Sequence, residues 1–149
     1  MGMHISTKGQ YGTRAMLELA LHFGRGPLLL REIARRQDIP ERYLEHVVAP
    51  LRTAGLIQSV RGARGGYTLT RPPSEITLLE ILQPLEGGLE PVGCLDNPGA
   101  CNRTPFCATR DVWQRLQESI HGVLAGMTLE DVVRIHREKA RVPAGMYYI

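Results

Sequence analysis

All three cysteines of this chain, Cys94, Cys101 and Cys107, fall in one stretch, CLDNPGACNRTPFC, residues 94–107. Thiolates are soft ligands that suit iron–sulfur clusters and zinc. Structural zinc sites usually show paired C-x(2–4)-C ligands or a Cys/His quartet, and the spacing C-x(6)-C-x(5)-C fits neither. Ferredoxin-type clusters take four cysteines at other spacings. Three thiolates would leave one ligand position to a weaker group. A cluster held that way is open to oxidants, nitric oxide or iron loss, which is the lability a sensor requires. Other readings of the same residues stand beside it: redox-reactive thiols without metal, and zinc or no role at all. An odd cysteine count argues against a disulfide framework. A catalytic thiol is the weakest reading, because no His or acid is evidently placed to activate one.

The elements that must carry this stretch can be read from hydrophobic period. Met16, Leu19, Ala20 and Phe23 fall at i, i+3, i+4 and i+7, which predicts a first helix over residues 7–23 with these four buried. The sequence GRGP ends it. LREIARRQ predicts a short helix over 30–37 that buries Leu30, Ile33 and Ala34. DIP turns the chain, and a third helix starts near Glu41 with Leu44, Val47, Val48 and Leu51 on its core face. Pro50 should kink that helix or end its regular part early, and Gly55 is a natural stop. LIQSV and YTLT read as two short strands joined by RGARGG, whose glycines supply the positive φ of a tight hairpin. A helix is expected near 77–85, and then the cysteine loop, which has no regular structure. A longer helix from about 109 to 125 carries Val112, Trp113, Leu116, Ile120, Val123 and Leu124 along one stripe. A last short helix begins at TLEDVVRIHRE with Thr128 as its N-cap.

Helix, short helix, turn, helix and basic hairpin is the order of a winged helix-turn-helix. The expected fold is mainly α with a small β-hairpin wing, followed by a long dimerisation helix. In such a fold the second helix of the pair enters the major groove. Its outward face here offers Arg42, Glu45, His46 and Arg52, with Arg42 and Arg52 suited to guanine or phosphate and Glu45 to cytosine N4. Arg61 and Arg64 at the hairpin tip fit a narrow minor groove, whose negative potential attracts arginine.

Charge divides along the same line. Residues 1–71 hold 11 Lys+Arg against 5 Asp+Glu, a net of +6, and residues 72–149 hold 7 against 10, a net of −3. A basic half that meets a polyanion and a second half with another task explain the split. Residues 1–73 are therefore read as the DNA-binding region. Residues 74–149 hold the cysteine loop (94–107), the dimerisation helix and a C-terminal helix and tail. At 149 residues the chain is short for an enzyme with separate cofactor and substrate domains. It carries no nucleotide-binding glycine motif and no acid/base pair, so no enzyme is expected. With no membrane-length apolar run and no signal-peptide pattern, a cytoplasmic protein is expected.

STKGQYGTRAMLELA, LREIARRQDIPERYLEHVVAPLRTAGLIQSVRGARGGYTLTRPPSEIT and the cysteine loop before VWQRL together resemble the Rrf2 family of bacterial winged-helix regulators, over nearly the whole chain. The resemblance implies a homodimer paired through the long helix on a pseudo-palindromic operator. It also implies an iron–sulfur cluster on the three cysteines, as in the cluster-binding members. Where the cluster-assembly regulator has a histidine ligand three residues after its last cysteine, this chain has Arg110, which cannot ligate iron. Asp111 and Asp96 are the carboxylate candidates for the fourth position. The nitric-oxide-sensing branch borrows an acid from the first helix of the other subunit, and the matching position here is Gln10. Both 2Fe–2S and 4Fe–4S forms stay open. The ending PAGMYYI resembles that of the cysteine-metabolism repressor, which acts with cysteine synthase. The expected function is a repressor in which loss or modification of the cluster changes the separation of the two recognition helices. The alternative is a cluster-free thiol-based or cysteine-metabolism repressor that partners with cysteine synthase.

Overall fold

The computed structural model of the chain describes residues 4–141. The first helix, α1 (Thr7–Leu21), starts at Ser6, whose Oγ accepts the Gly9 N–H at 3.0 Å. The Ser6 N–H and hydroxyl both donate to Glu86 Oε1, at 3.0 and 2.7 Å. That contact brings α1 against a helix near residue 86, and Gly9 and Gly12 are what allow the approach. A Cβ at Gly9 would stand 2.0 Å from Glu86 Oε1, and one at Gly12 would stand 2.3 Å from Leu85 Cδ1.

Helix α1 ends two residues earlier than its apolar period predicts. The His22 N–H still bonds to Glu18 O, but the Phe23 N–H bonds to Ala20 O, and the tighter turn swings Phe23 outward. Phe23 is 46% exposed, so the expectation that it belongs to the buried face is corrected. Helix α2 (Leu30–Gln37) buries Ile33 and Ala34, while Leu30 is only half-buried. Asp38 closes α2 with φ 54° and ψ 50°, a left-handed conformation that Asp tolerates better than most residues. The turn sends Ile39 into the core, its N–H on Ala34 O.

Helix α3 (Glu41–Thr53) buries Leu44, Val47, Val48 and Leu51. Pro50 neither ends nor shortens it, for the helix runs on through Thr53 and the Ala54 N–H bonds to Pro50 O at 3.0 Å. The proline falls in the last turn, where only the His46 carbonyl loses its helical partner, and His46 is exposed to water. The antiparallel strands β1 (Ile57–Val60) and β2 (Gly66–Leu69) pair Ile57 with Leu69 and Val60 with Gly66.

Beyond a short turn at Pro73–Glu75, α4 (Leu78–Glu86) opens with a capping box in which Thr77 and Glu80 satisfy each other's backbone N–H groups. A one-turn helix, α5 (Gly93–Asp96), leads to α6 (Ala108–Ala125) and α7 (Leu129–Arg141). Thr128 caps α7 as its sequence predicts. Its N–H donates to Asp131 Oδ2 at 2.9 Å, and its Oγ1 accepts the Asp131 N–H at 3.2 Å. Leu78 N–H to Met127 O and Leu129 N–H to Ile76 O hold the starts of α4 and α7 side by side. One hydrophobic cluster joins Met16, Ile33, Leu44, Leu51 and Leu56 to Ile76, Ile81, Leu85, Leu129 and Val133, so the core runs across residue 73. Each fully buried Leu or Ile in it contributes about 1.5–3 kcal/mol.

Helix α6 differs from the rest. None of its 18 residues is fully buried. Leu116, Ile120 and Leu124, four residues apart, are half-buried. Val112, Trp113 and Val123 are 55%, 38% and 66% exposed. The single stripe read from the sequence is thus divided between a face covered by the chain itself and one that the chain leaves open.

Candidate nucleic-acid interface and cysteine segment

On α3 the side opposite Leu44, Val47 and Leu51 carries Arg42, Glu45, His46 and Arg52, all exposed. Among the described residues no ion pair engages Arg42 or Arg52, so their guanidinium groups are available to an external anion. Arg31 and Arg35 on α2 are likewise exposed, and the reading of the third helix alone missed them. Their spacing, i and i+4, was readable in the sequence and puts both on one face of α2.

Arg61 and Arg64 are exposed in the turn between β1 and β2. The wing is also tied to the chain before α2 by an isolated antiparallel bridge that the sequence reading did not include. Leu28 and Tyr67 exchange both backbone hydrogen bonds, at 3.0 and 2.9 Å. Gly66, at φ 145°, makes this possible, because a Cβ there would lie 2.5 Å from Leu28 O. A Cβ at Gly65 would lie 2.4 Å from Val60 O. At the wing's base the Thr70 hydroxyl donates to Gly55 O at 2.5 Å.

The cysteine segment is more ordered than its composition predicts. Cys94 lies within α5, and one-turn 3₁₀ segments occupy Pro98–Ala100 and Thr104–Phe106. The Thr104 hydroxyl donates to Pro98 O at 2.8 Å and lies 2.9 Å from Cys101 O, which pins the middle of the loop. The expectation of a loop without regular structure is corrected accordingly. Short polar side chains satisfy the backbone there in place of a longer ladder.

All three thiols are free. Cys94 and Cys107 are half-buried and Cys101 is exposed. Cys107 occupies the N-cap position of α6, with its Sγ 3.3 Å from Thr109 Oγ1. The Thr109 hydroxyl, followed by the backbone N–H of Arg110, holds this thiol below the ordinary range, with a smaller contribution from the Arg103 charge. Asp96 and Asp111 are both exposed. Among the described residues no group of three or more Cys, His, Asp or Glu side chains is gathered in a metal-binding arrangement. Gln10 donates from Nε2 to Ile5 O. Arg110 is half-buried with its Nε enclosed and unpartnered among the described residues. The PAGMYYI tail lies outside the described residues. No described helix is long and apolar enough to cross a membrane.

Comparison with known proteins bears on these surfaces. The Rrf2 family, described as "Iron-dependent Transcriptional regulator", matches residues 5–135. The transcriptional regulator CymR of Bacillus subtilis is 44% identical over 130 residues, covering 87% of this chain and 89% of that protein. Its solved structure, described as the global cysteine regulator, superposes with a TM-score of 0.75 at 42% identity, over 89% of this chain and 97% of the other. The regulator IscR of Photorhabdus laumondii is 35% identical, covering 96% of this chain and 93% of its own. The structure of T. potens IscR gives a TM-score of 0.78 at 42% identity, over 99% of this chain and 98% of that one. The matching family and these relatives are transcriptional regulators, not enzymes.

Proposed function

The chain belongs to the Rrf2 family of DNA-binding transcriptional regulators, and from that premise we propose that it is a homodimeric repressor whose operator affinity is set by the state of Cys94, Cys101 and Cys107. The observation that carries the proposal is the placement of these thiols. They occupy the segment that joins α4, which packs on the DNA-binding half, to α6, whose apolar face the chain leaves open.

In this reading α3 lies in the major groove, with Arg42, Glu45, His46 and Arg52 toward the bases and phosphates. Arg61 and Arg64 follow the minor groove. The exposed side chains of Val112, Trp113 and Val123 pair with the same face of a second copy. Two-fold pairing through α6 presents two copies of α3 to successive major grooves. The charge distribution supports this, since the arginines gather at α3 and the wing while the α6 face is apolar.

The three cysteines suit an iron–sulfur cluster by donor chemistry. They are soft, free and unblocked thiols in one segment, and Cys107 is already biased toward thiolate. Such a group would supply a centre that oxidants, nitric oxide or iron loss can dismantle. Asp96 or Asp111 would provide the fourth donor. The chain's own part is to hold the segment's two ends, one on α4 and one at the start of α6. A change within the segment then acts on α6, and through pairing on the spacing of the two α3 helices.

A second reading rests on the similarity to CymR together with the Cys107 environment. Here the thiols respond without metal, Cys107 acting as the reactive thiolate, and the C-terminal tail engages a cysteine-synthesis enzyme. Anaerobic purification followed by an absorption spectrum and iron and sulfide assays separates the two. A coloured protein with matched iron and sulfide supports the cluster. A colourless protein that fails reconstitution supports the metal-free thiol, and removal of residues 143–149 then tests association with cysteine synthase.

A further inference from the structure

Both ends of the turn between α2 and α3 are clamped to one face of α1. Arg14 Nε donates to Gln37 Oε1 at 3.1 Å, and its Nη2 donates to the Gln37 backbone carbonyl. Gln37 Nε2 in turn donates to Glu18 Oε1 at 2.8 Å, and Arg36 Nη1 lies 3.7 Å from Glu18 Oε2. Glu18 is only 6% exposed and is the one buried charged residue among those described. On the other side of the turn Tyr43 of α3 meets Tyr11 edge to face, with ring centroids 5.0 Å apart. The Arg14 guanidinium stands 5.4 Å from the Tyr11 ring centre. Tyr43 continues the series to His46, at 6.4 Å.

Tyr11, Arg14 and Glu18 are spaced i, i+3 and i+7, so one stripe of α1 grips the last residue of α2 and the first turn of α3. Only Asp38, Ile39 and Pro40 separate the two helices, and five residues, 38–42, lie between the clamped Gln37 and Tyr43. The angle between α2 and α3 therefore depends on this bracket as well as on the apolar core. We infer that Tyr11 and Arg14 are positioning residues for operator binding: they fix the tilt of α3 and the seat of His46 without touching DNA themselves. The inference rests on the assignment of α3 as the reading helix.

The chemistry of the bracket supports a positioning role. A guanidinium presents two N–H groups to Gln37 in a fixed fork while its face meets an aromatic ring, and a lysine ammonium cannot do both. Gln37 engages two of the five Arg14 N–H groups, which fixes the plane of the guanidinium. Base contacts demand a fixed helix angle, whereas long arginine side chains reach phosphates from many angles. Loosening the bracket should thus reduce operator affinity while leaving general DNA affinity alone.

The test uses the full-length protein, an operator duplex selected by the wild type from a random pool, and a scrambled duplex. Arg14→Lys and Tyr11→Leu should each bind the operator roughly tenfold more weakly. Scrambled-duplex affinity and the salt slope should stay unchanged, and Tyr11→Phe, which keeps the ring, should behave as wild type. A salt slope reduced by about one would mean that Arg14 touches phosphate, and would overturn the inference. So would unchanged operator affinity, or loss of both affinities in step with a lowered thermal midpoint. Arg42→Ala and Arg52→Ala, measured in parallel, keep the two levels apart. If they retain operator affinity, α3 is not the reader and the underlying assignment fails. If they lose it while the bracket variants do not, only the positioning role fails.

Discussion

Arg71 Nη2 donates to Glu80 Oε2 at 2.5 Å, tying the residue that leaves the wing to the first turn of α4. The same carboxylate closes the Thr77 capping box through its other oxygen, at 3.2 Å. One side chain therefore joins the end of the wing to the helix that leads into the cysteine segment.

The pH dependence of that tie has a definite sign. The Arg71 hydrogen bond holds the Glu80 carboxyl below its ordinary value of 4.5, against a smaller opposing effect of burial. A depressed native pKa gives stability that is present above the unfolded pKa and is lost as pH falls through the native one. Both side chains are 39% exposed, so the screened contribution stays under about 1 kcal/mol. Glu80→Gln keeps a capping-box residue but removes the charge. Its thermal midpoint should be slightly below wild type near pH 7, and the gap should begin to narrow near pH 4.5 and close only below it, as pH falls through the lowered native value. A gap that persists at low pH would show that the charge is not what stabilises the junction.

Gly66→Ala should be among the more damaging single changes to the wing. The added Cβ meets the Leu28 carbonyl at 2.5 Å and must adopt φ 145°. A loss of about 1–3 kcal/mol is expected by denaturant unfolding. Gly62→Ala, where the backbone is positive but the space is open, serves as the milder comparison.

Arg64→Ala should weaken DNA binding on any sequence and reduce the slope of log affinity against log salt by about one. Fluorescence anisotropy at several salt concentrations measures both. An unaltered slope would remove Arg64 from the phosphate contacts.

Cys101 is exposed, so Cys101→Ala leaves no cavity. Circular dichroism and thermal midpoint should match the wild type, while iron and sulfide content after anaerobic purification fall to background. A variant that unfolds would instead indicate a structural metal.

Trp113→Ser tests the open face of α6. Trp113 is 38% exposed within one chain, so its replacement should lower that chain's thermal midpoint modestly without unfolding it. Sedimentation velocity should show the dimer weakened by roughly tenfold or more, since aromatic anchors dominate such interfaces. An undisturbed dimer would move the pairing surface elsewhere.

The sequence by itself determined the helices and the wing. Apolar residues at i, i+3 and i+4 place α2, the same pattern carried to i+7 places α3, and the glycines between Val60 and Tyr67 place the hairpin, because these signals act over a few neighbouring residues. The exposed side of α3 was legible for the same reason. If Leu44, Val47 and Leu51 go inward, Arg42, Glu45 and His46 must go outward. What only the tertiary structure decided depends on partners far apart in the chain. The strand pairing of Leu28 with Tyr67, the contact of Ser6 with Glu86 and the grip of Arg14 on Gln37 join residues whose local sequence carries no mark of each other. Phe23 has the period of a core residue and is turned out by one tightened turn. The stripe on α6 reads as continuous, yet packing covers Leu116, Ile120 and Leu124 and leaves Val112, Trp113 and Val123 in the open. Local period says which residues are apolar and share a face; the packing of distant elements decides how much of that face is left for a partner.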